Sequence, residues 1–105
     1  MVVEHYNLMG PVKAALEATT RYLAAELGPK GIRVHAISPG PLKTRAASGI
    51  TAFDELLQKA QSKAPSRSLV SIDDVGAAVG FLGMDAAKLI TGETLYIDGG
   101  YHIID

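Results

Sequence analysis

Two short runs rich in apolar and β-branched residues, Ile32–Ile37 and Glu93–Asp98, are separated by a stretch that carries helical patterns. Runs of this kind predict buried strands. A helical connection between two strands of one sheet makes them parallel, with a right-handed crossover. This arrangement is the unit of an α/β fold with a doubly wound parallel sheet, but such sheets contain more than two strands. The chain is therefore interpreted as the C-terminal part of a doubly wound domain, with two parallel strands and three or four helices.

The first helix is predicted between Leu8 and Leu27, where apolar residues recur at steps of three and four. This spacing places them on one side of the helix. Gly28-Pro29 ends the pattern, because glycine suits the C-terminal cap and proline cannot continue the hydrogen-bond ladder. The sequence therefore predicts a long helix with a strongly apolar face, followed at once by the first strand.

Two further helices are predicted between the strands. Residues 41–70 are read as an irregular loop with a short amphipathic helix at Phe53–Gln61. Ser71 and Asp74 then have the spacing of a capping box at the start of a third helix. The residues expected to be buried are Phe53, Leu56, Leu57 and Ala60 in the second helix and Val75, Ala78, Val79 and Leu82 in the third.

Composition excludes several classes of protein. The 105 residues are 48% hydrophobic and 20% charged, with a formal net charge of −1, which fits neither a disordered chain nor a nucleic-acid-binding domain. No segment reaches the roughly 18 apolar residues that a membrane span requires. The chain has no cysteine, so the expected location is a reducing cytoplasm. His5, His35 and His102 show no ligand spacing, and no metal site is predicted.

Tyr6 and Lys13 are seven residues apart, which on a helix places them about 20° apart around the axis, two turns along one face. A phenol and an ammonium in this arrangement can address one ligand. A nearby cation lowers the pKa of a phenol, which then donates a proton or stabilises an oxyanion more readily. Spacing alone nevertheless favours a plainer interpretation, a boundary tyrosine beside a solvated lysine.

Further motifs carry a family resemblance that covers essentially the whole chain. Together with Lys13, the stretches Tyr6–Gly10, Ser38–Pro41 and Ile90–Gly100 resemble the C-terminal half of the Rossmann-like short-chain dehydrogenase/reductases. Most members place the lysine four residues after the catalytic tyrosine, where this chain has Gly10. The longer gap, and the segment 41–50, are instead similar to the bacterial enoyl-acyl-carrier-protein reductases of type II fatty acid synthesis.

The resemblance implies an activity and the residues that perform it. Hydride would pass from NADH to the β-carbon of a trans-2-enoyl thioester carried by acyl carrier protein. Tyr6 would hydrogen-bond the thioester oxygen as it becomes an enolate, and Lys13 would hold the nicotinamide ribose. The implied cofactor-binding residues are Lys13, Gly40, Pro41, Leu42 and Thr44. The implied substrate-binding residues are Tyr6, Met9, Ala46, Ala47, Ile50, Phe53 and Leu56.

Within that implied cofactor site, the Leu42 backbone would meet the nicotinamide carboxamide and the Thr44 hydroxyl the pyrophosphate region. The segment from Pro41 to Phe53 is expected to be the most mobile internal part of the chain, because it lacks periodicity and orders only around ligands. Asp98-Gly99-Gly100 is interpreted as a structural turn without a role in the chemistry.

Residues 1–105 are therefore expected to form a partial short-chain dehydrogenase/reductase domain without its N-terminal dinucleotide-binding half. Alone, the chain is expected to be inactive and to associate with copies of itself, as in the family's tetramers, or with the missing half, which would cover the strand edge at Arg33–Ile37. Two alternatives remain open. One is a non-catalytic truncated remnant or assembly module, and the other is a short-chain dehydrogenase/reductase with a different substrate.

Overall fold

The computed structural model describes residues 9–42 and 51–104, without the side chains of positions 9, 51 and 52. Within these ranges the chain forms three α-helices and two strands. They are α1 (Met9–Leu27), β1 (Ala36–Pro39), α2 (Thr51–Lys63), α3 (Ile72–Leu82) and β2 (Thr94–Ile97). Single 3₁₀ turns lie at Gly28–Lys30, Asp85–Ala87 and Tyr101–Ile103. None of the described helices is long and apolar enough to cross a membrane.

The two strands pair in parallel, as the sequence predicts. The N–H of Ala36 donates to the carbonyl of Glu93 at 3.0 Å, and the N–H of Gly40 donates to the carbonyl of Ile97 at 3.0 Å. Donor and acceptor numbers advance together from one bond to the next, which is the register of a parallel ladder. The expected α/β architecture is confirmed.

The predicted bounds of the first strand are wrong at both ends, because β1 spans Ala36–Pro39 and not Ile32–Ile37. The N–H of Ile32 bonds back to the carbonyl of Leu27 at the end of α1. Val34 is held by a loop instead of a strand: its N–H donates to Thr91 Oγ1, and its carbonyl accepts from the N–H of Gly92. The N–H of Ile32 and both backbone groups of Val34 are therefore hydrogen-bonded before the ladder begins.

At its other end, β1 continues beyond the predicted end at Ile37 and includes Ser38 and Pro39. Ladder bonds leave a strand from alternate residues. Because the N–H of Gly40 points to β2, the nitrogen of Pro39 points away from β2 and needs no partner there. The strand is also only half-buried in this chain, and not fully buried as predicted.

The chain divides into two compact units. The first contains the described residues up to Ile37 together with Met84–Leu95. Its small core includes Thr20, Ala24 and Ala87, which is fully buried. The side chain of Arg33 donates from Nη1 to the carbonyl of Ala87 at 3.0 Å, so one guanidinium joins the approach to β1 to the 3₁₀ turn before β2.

The apolar face of α1 lies in this first unit and is largely exposed. Val12 and Leu16 are each more than half exposed, Leu23 is 39% exposed, and Tyr22 is 78% exposed. Val12, Leu16 and Leu23 fall within about 40° of one another around the helix axis at 100° per residue. These three side chains, which lie along one side of the helix, are called here the α1 stripe, and no part of the described chain covers them fully.

The second unit contains Ser38–Gly83 and the residues from Tyr96 onward. Leu57 and Ala60 of α2 are buried as predicted, together with Ala64, but Leu56 is 43% exposed and Phe53 is half-buried. In α3, Leu82 is buried, whereas Val79 is 50% exposed and Val75 and Ala78 are only half-buried. The predicted buried faces are thus correct only in part.

Candidate functional site

Lys13 lies in the second turn of α1, and its side chain is exposed. Among the described residues it has no hydrogen bond or ion pair. Around the helix it is about 100° from Val12, so it points to a different side of α1 from the α1 stripe. Tyr6 lies outside the described residues, and the expected pairing of the two groups stays a prediction.

The carboxyl end of β1 leads directly into Gly40, Pro41 and Leu42. The Gly40 backbone passes very close to the turn after β2: a Cβ at this position would lie 3.0 Å from Asp98 Cβ and 3.3 Å from Asp98 Cα. A Val70 methyl group would lie 3.5 Å away. Contacts this short are tighter than ordinary van der Waals packing, so a side chain at position 40 would require Asp98 to shift by a few tenths of an ångström.

Leu42 lines a shallow depression of about 500 Å³ in the second unit. The other lining residues are Val70, Ser71, Ile72 and Asp73. Sequence reasoning assigned Leu42 to the cofactor site but did not include the start of α3. The position of Val70 against Gly40 could not be read from a pattern, because the two residues are distant in sequence.

The polar groups at the start of α3 largely satisfy one another. The Ser71 hydroxyl accepts from the N–H of Asp74 at 3.1 Å, and the Asp74 carboxylate accepts from the N–H of Ser71 at 2.8 Å. This is the predicted capping box, and it is confirmed. The N–H of Ser71, followed by its hydroxyl, lowers the pKa of Asp74 from its usual 3.8. The capping box thus satisfies the N–H groups of Ser71 and Asp74 and places a carboxylate at this helix terminus.

The remaining predicted substrate residues are placed only in part. Phe53 and Leu56 lie nearly one turn apart on α2, half-buried and exposed respectively. Thr44, Ala46, Ala47 and Ile50 lie outside the described residues, as do most of the predicted mobile segment and the side chain of Met9. Among the residues that the structure does describe, no group of three or more His, Cys, Asp or Glu is placed to hold a metal ion.

Leu42, which the resemblance implies as a cofactor-binding residue, lies just beyond the carboxyl end of β1. Leu42 is half-buried at the edge of the depression, and in ranges 9–42 and 51–104 its backbone N–H has no hydrogen-bond partner. A backbone N–H without a partner can donate a hydrogen bond to the oxygen of a carboxamide group. This end of β1 is also where doubly wound folds bind ligands, just beyond the carboxyl ends of their strands.

Comparison with known proteins gives a consistent answer across nearly the whole chain. The family model described as "Enoyl-(Acyl carrier protein) reductase" matches residues 1–102. The chain is 50% identical over 103 residues to enoyl-[acyl-carrier-protein] reductase [NADH] 1 of Rhizobium meliloti, covering 98% of this chain and 38% of the relative. It is 46% identical to the Bacillus cereus enzyme, covering 98% of this chain and 40% of the relative.

Solved structures agree with the sequence comparison. The Bacillus cereus reductase with NADP⁺ and indole naphthyridinone superposes with a TM-score of 0.91 at 45% identity, covering 99% of this chain and 40% of that one. The Anaplasma phagocytophilum reductase with NAD superposes with a TM-score of 0.86 at 43% identity, covering 99% of this chain and 37% of that one. The chain thus spans about two fifths of its relatives' length. On this evidence it belongs to the enoyl-(acyl-carrier-protein) reductase family.

Proposed function

We propose that residues 1–105 supply the catalytic segment of a cytoplasmic, NADH-dependent enoyl-acyl-carrier-protein reductase. The observation that carries the proposal is the family match over residues 1–102, which includes both Tyr6 and Lys13 at the spacing typical of that family. The relatives named above are NADH-dependent by name, and NADH is accordingly the proposed reductant.

Tyr6 and Lys13 have separate roles in the proposed reduction. NADH supplies a hydride to the β-carbon of the enoyl thioester, and negative charge then develops on the thioester oxygen. Tyr6 hydrogen-bonds that oxygen, an interaction that strengthens as the charge grows. Lys13, solvent-exposed and without a partner in the described chain, holds the ribose hydroxyls and contributes positive charge. The Leu42 backbone N–H positions the carboxamide at the end of β1.

This activity needs more than the 105 residues. The glycine-rich turn that holds pyrophosphate in doubly wound domains does not occur in the sequence. We propose that the segment works with an N-terminal dinucleotide-binding half and in a self-associated assembly, the exposed α1 stripe being one contact surface. Acyl carrier protein delivers the substrate.

The roles are tested in a joined reductase, in which residues 1–105 follow the N-terminal part of the Bacillus cereus relative in one chain. Tyr6→Phe is expected to lower kcat by about 100-fold, the effect typical of losing one oxyanion donor, while the Kd for NADH stays nearly unchanged. Lys13→Ala is expected to weaken NADH binding. Lys30→Ala, an exposed lysine in the turn after α1, is the control and should change neither quantity.

Two results would contradict parts of the proposal. Equal loss of NADH affinity in Tyr6→Phe and Lys13→Ala would show that the division of roles is wrong. A joined reductase that folds, binds NADH and yet fails to reduce crotonyl thioesters would favour the non-catalytic assembly module. The 105-residue chain alone should not bind NADH with micromolar affinity in a fluorescence titration, because it lacks the pyrophosphate-binding turn.

A further inference from the structure

The Asp98 carboxylate, just after β2, accepts hydrogen bonds from the turn that follows it. The N–H of Gly100 donates to Oδ1 at 2.9 Å, and the N–H of His102 donates to Oδ2 at 2.9 Å. The His102 ring adds a further contact, with Nδ1 2.9 Å from Oδ2 and 3.0 Å from Oδ1. Because a carboxylate can only accept, the ring nitrogen donates. The Asp98 side chain is only 7% exposed.

The His102 ring is itself held in place. It stacks on the ring of Tyr96, with centroids 3.9 Å apart and planes inclined by 12°. Stacking fixes the plane of the imidazole, and the two carboxylate contacts fix its direction. The ring therefore restrains the Asp98 carboxylate in addition to the two backbone donors.

Asp98 is in turn packed against Gly40, the first residue of the segment Gly40–Leu42, called here the cofactor loop. A Cβ on Gly40 would lie only 3.0 Å from Asp98 Cβ and 3.3 Å from Asp98 Cα, so the two backbones pass close together here. The N–H of Gly40 bonds to the carbonyl of Ile97, the residue before Asp98. The Gly40 backbone is thus held at this turn by one hydrogen bond and by close packing, and Pro41 connects it directly to Leu42.

We propose that His102 is a positioning residue for the cofactor loop, because it holds Asp98 in the one position that fixes the backbone from Gly40 to Leu42. The role of Leu42 in this chain of contacts rests on the proposed function. The contact from His102 through Asp98 to Gly40 does not, since it is independent of any ligand. His102 touches no reacting atom and acts only through Asp98.

Two substitutions separate the two halves of the His102 contact. His102→Asn keeps a donor near the position of Nδ1 and loses the ring, whereas His102→Phe keeps a ring on Tyr96 and loses the donor. Ile103→Ala is the matched control, because Ile103 is in the same turn and 70% exposed. Amide hydrogen exchange of Gly40, whose N–H is bonded to the carbonyl of Ile97, measures the positioning in the 105-residue chain without cofactor. The KM for NADH and kcat in the joined reductase measure its consequence.

In His102→Phe, exchange at Gly40 is expected to accelerate about tenfold, the effect of losing one charge-assisted hydrogen bond. Exchange at Ala60 in α2 should stay unchanged. The KM for NADH should rise while kcat changes little, and His102→Asn should restore most of both quantities. Unchanged exchange at Gly40 in His102→Phe would overturn the proposal, as would equal acceleration at Ala60, which would indicate general destabilisation.

The two proposals can fail separately. Faster exchange at Gly40 together with an unchanged KM for NADH would support the contact from His102 to Gly40 and contradict the assignment of Leu42 to the cofactor. A joined reductase that is inactive before any substitution would contradict the proposed function, and hydrogen exchange would still decide whether His102 positions the loop.

Discussion

Gly40 shows how a single residue can be fixed by its neighbours. It follows β1, donates to the carbonyl of Ile97, and packs so closely on Asp98 that an added Cβ would lie only 3.0 Å from Asp98 Cβ. Its importance therefore comes from close packing and not from an unusual backbone angle. Gly99 and Gly100 differ in this respect, because both adopt positive φ, at 65° and 91°, and both lie against the segment after α2 at Ser66 and Pro65.

Substituting alanine at two glycines should have opposite effects on stability. Gly40→Ala is expected to lower the free energy of unfolding by about 1–3 kcal/mol, because the added methyl group overpacks a filled site. Gly76→Ala is the matched control: it lies inside α3, where a Cβ meets no atom within 4 Å. It should raise stability by about 0.5–1 kcal/mol through helix propensity. Urea unfolding measures both, and a neutral Gly40→Ala would contradict the packing argument.

Acid should destabilise the chain through Asp98. Burial raises the pKa of Asp98, but hydrogen bonds from the His102 ring and from the N–H groups of Gly100 and His102, with the charge of His102, outweigh burial and lower it from the usual 3.8. A pKa lowered in the folded state stabilises the protein above the unfolded value of about 3.9. This stability is then lost as the pH falls through the lower folded value.

The thermal midpoint is therefore expected to be nearly constant from pH 7 to about 5 and to decrease below about 4. Asp98→Asn and Asp74→Asn should each flatten that decrease, because each removes a carboxylate whose pKa is lowered. Asp73→Asn is the control. Asp73 lies next to Asp74, but its carboxylate has no hydrogen-bond partner among the described residues. A decrease of the same size in Asp98→Asn would show that the carboxylate is not responsible.

At the scale of elements, the start of α3 is specified by its own local sequence. Ser71→Ala removes the hydroxyl that caps the N–H of Asp74 and is expected to cost about 1 kcal/mol of unfolding free energy. Ser62→Ala is a suitable control, because the Ser62 hydroxyl only donates to the carbonyl of Lys59 on the exposed side of α2. Equal effects of the two substitutions on urea unfolding would argue against the cap as a source of stability.

Features set by near neighbours in sequence were predictable, and features set by distant partners were not. The capping box needs only Ser71 and Asp74, and the parallel pairing follows from the order of the elements. The start of β1 was wrong because Val34 is held by Thr91 and Gly92, far along the chain. The contact of His102 with Asp98 was missed because it spans a left-handed glycine turn, where helical spacing rules do not apply.

The same limit applies to the candidate site. The sequence placed Leu42 at the end of a strand, and the structure puts it there, beside a depression. The sequence could not supply Val70 or Ile72, which reach that depression from a separate element. Val79 was predicted to be buried from its apolar character, yet it is 50% exposed. A periodic pattern shows that one face of a helix is apolar, but it does not show which surface covers that face.

At the scale of the whole molecule, the exposed α1 stripe predicts self-association. Leu16→Asp should shift the assembly towards monomer, because it places a charge in the middle of the stripe while replacing a side chain that is already 53% exposed. Ala14→Asp, about 200° from Val12 around the helix, is the control on the opposite side. Light scattering at micromolar concentration measures the state. A folded 11.0 kDa monomer before any substitution would contradict the prediction.

The pairing of β1 with β2 also has a consequence for synthesis on the ribosome. The two strands lie at Ala36–Pro39 and Thr94–Ile97, so β1 is made well before the partner with which it shares its ladder. At about 5–20 residues per second, the delay is roughly 3–10 s. During that interval the helices between the strands can form from local contacts, but the backbone N–H and C=O groups of β1 that pair with β2 have no partner strand. Synonymous codons that slow translation between the strands would lengthen this vulnerable period, in which chaperone binding or aggregation of the nascent chain competes with folding.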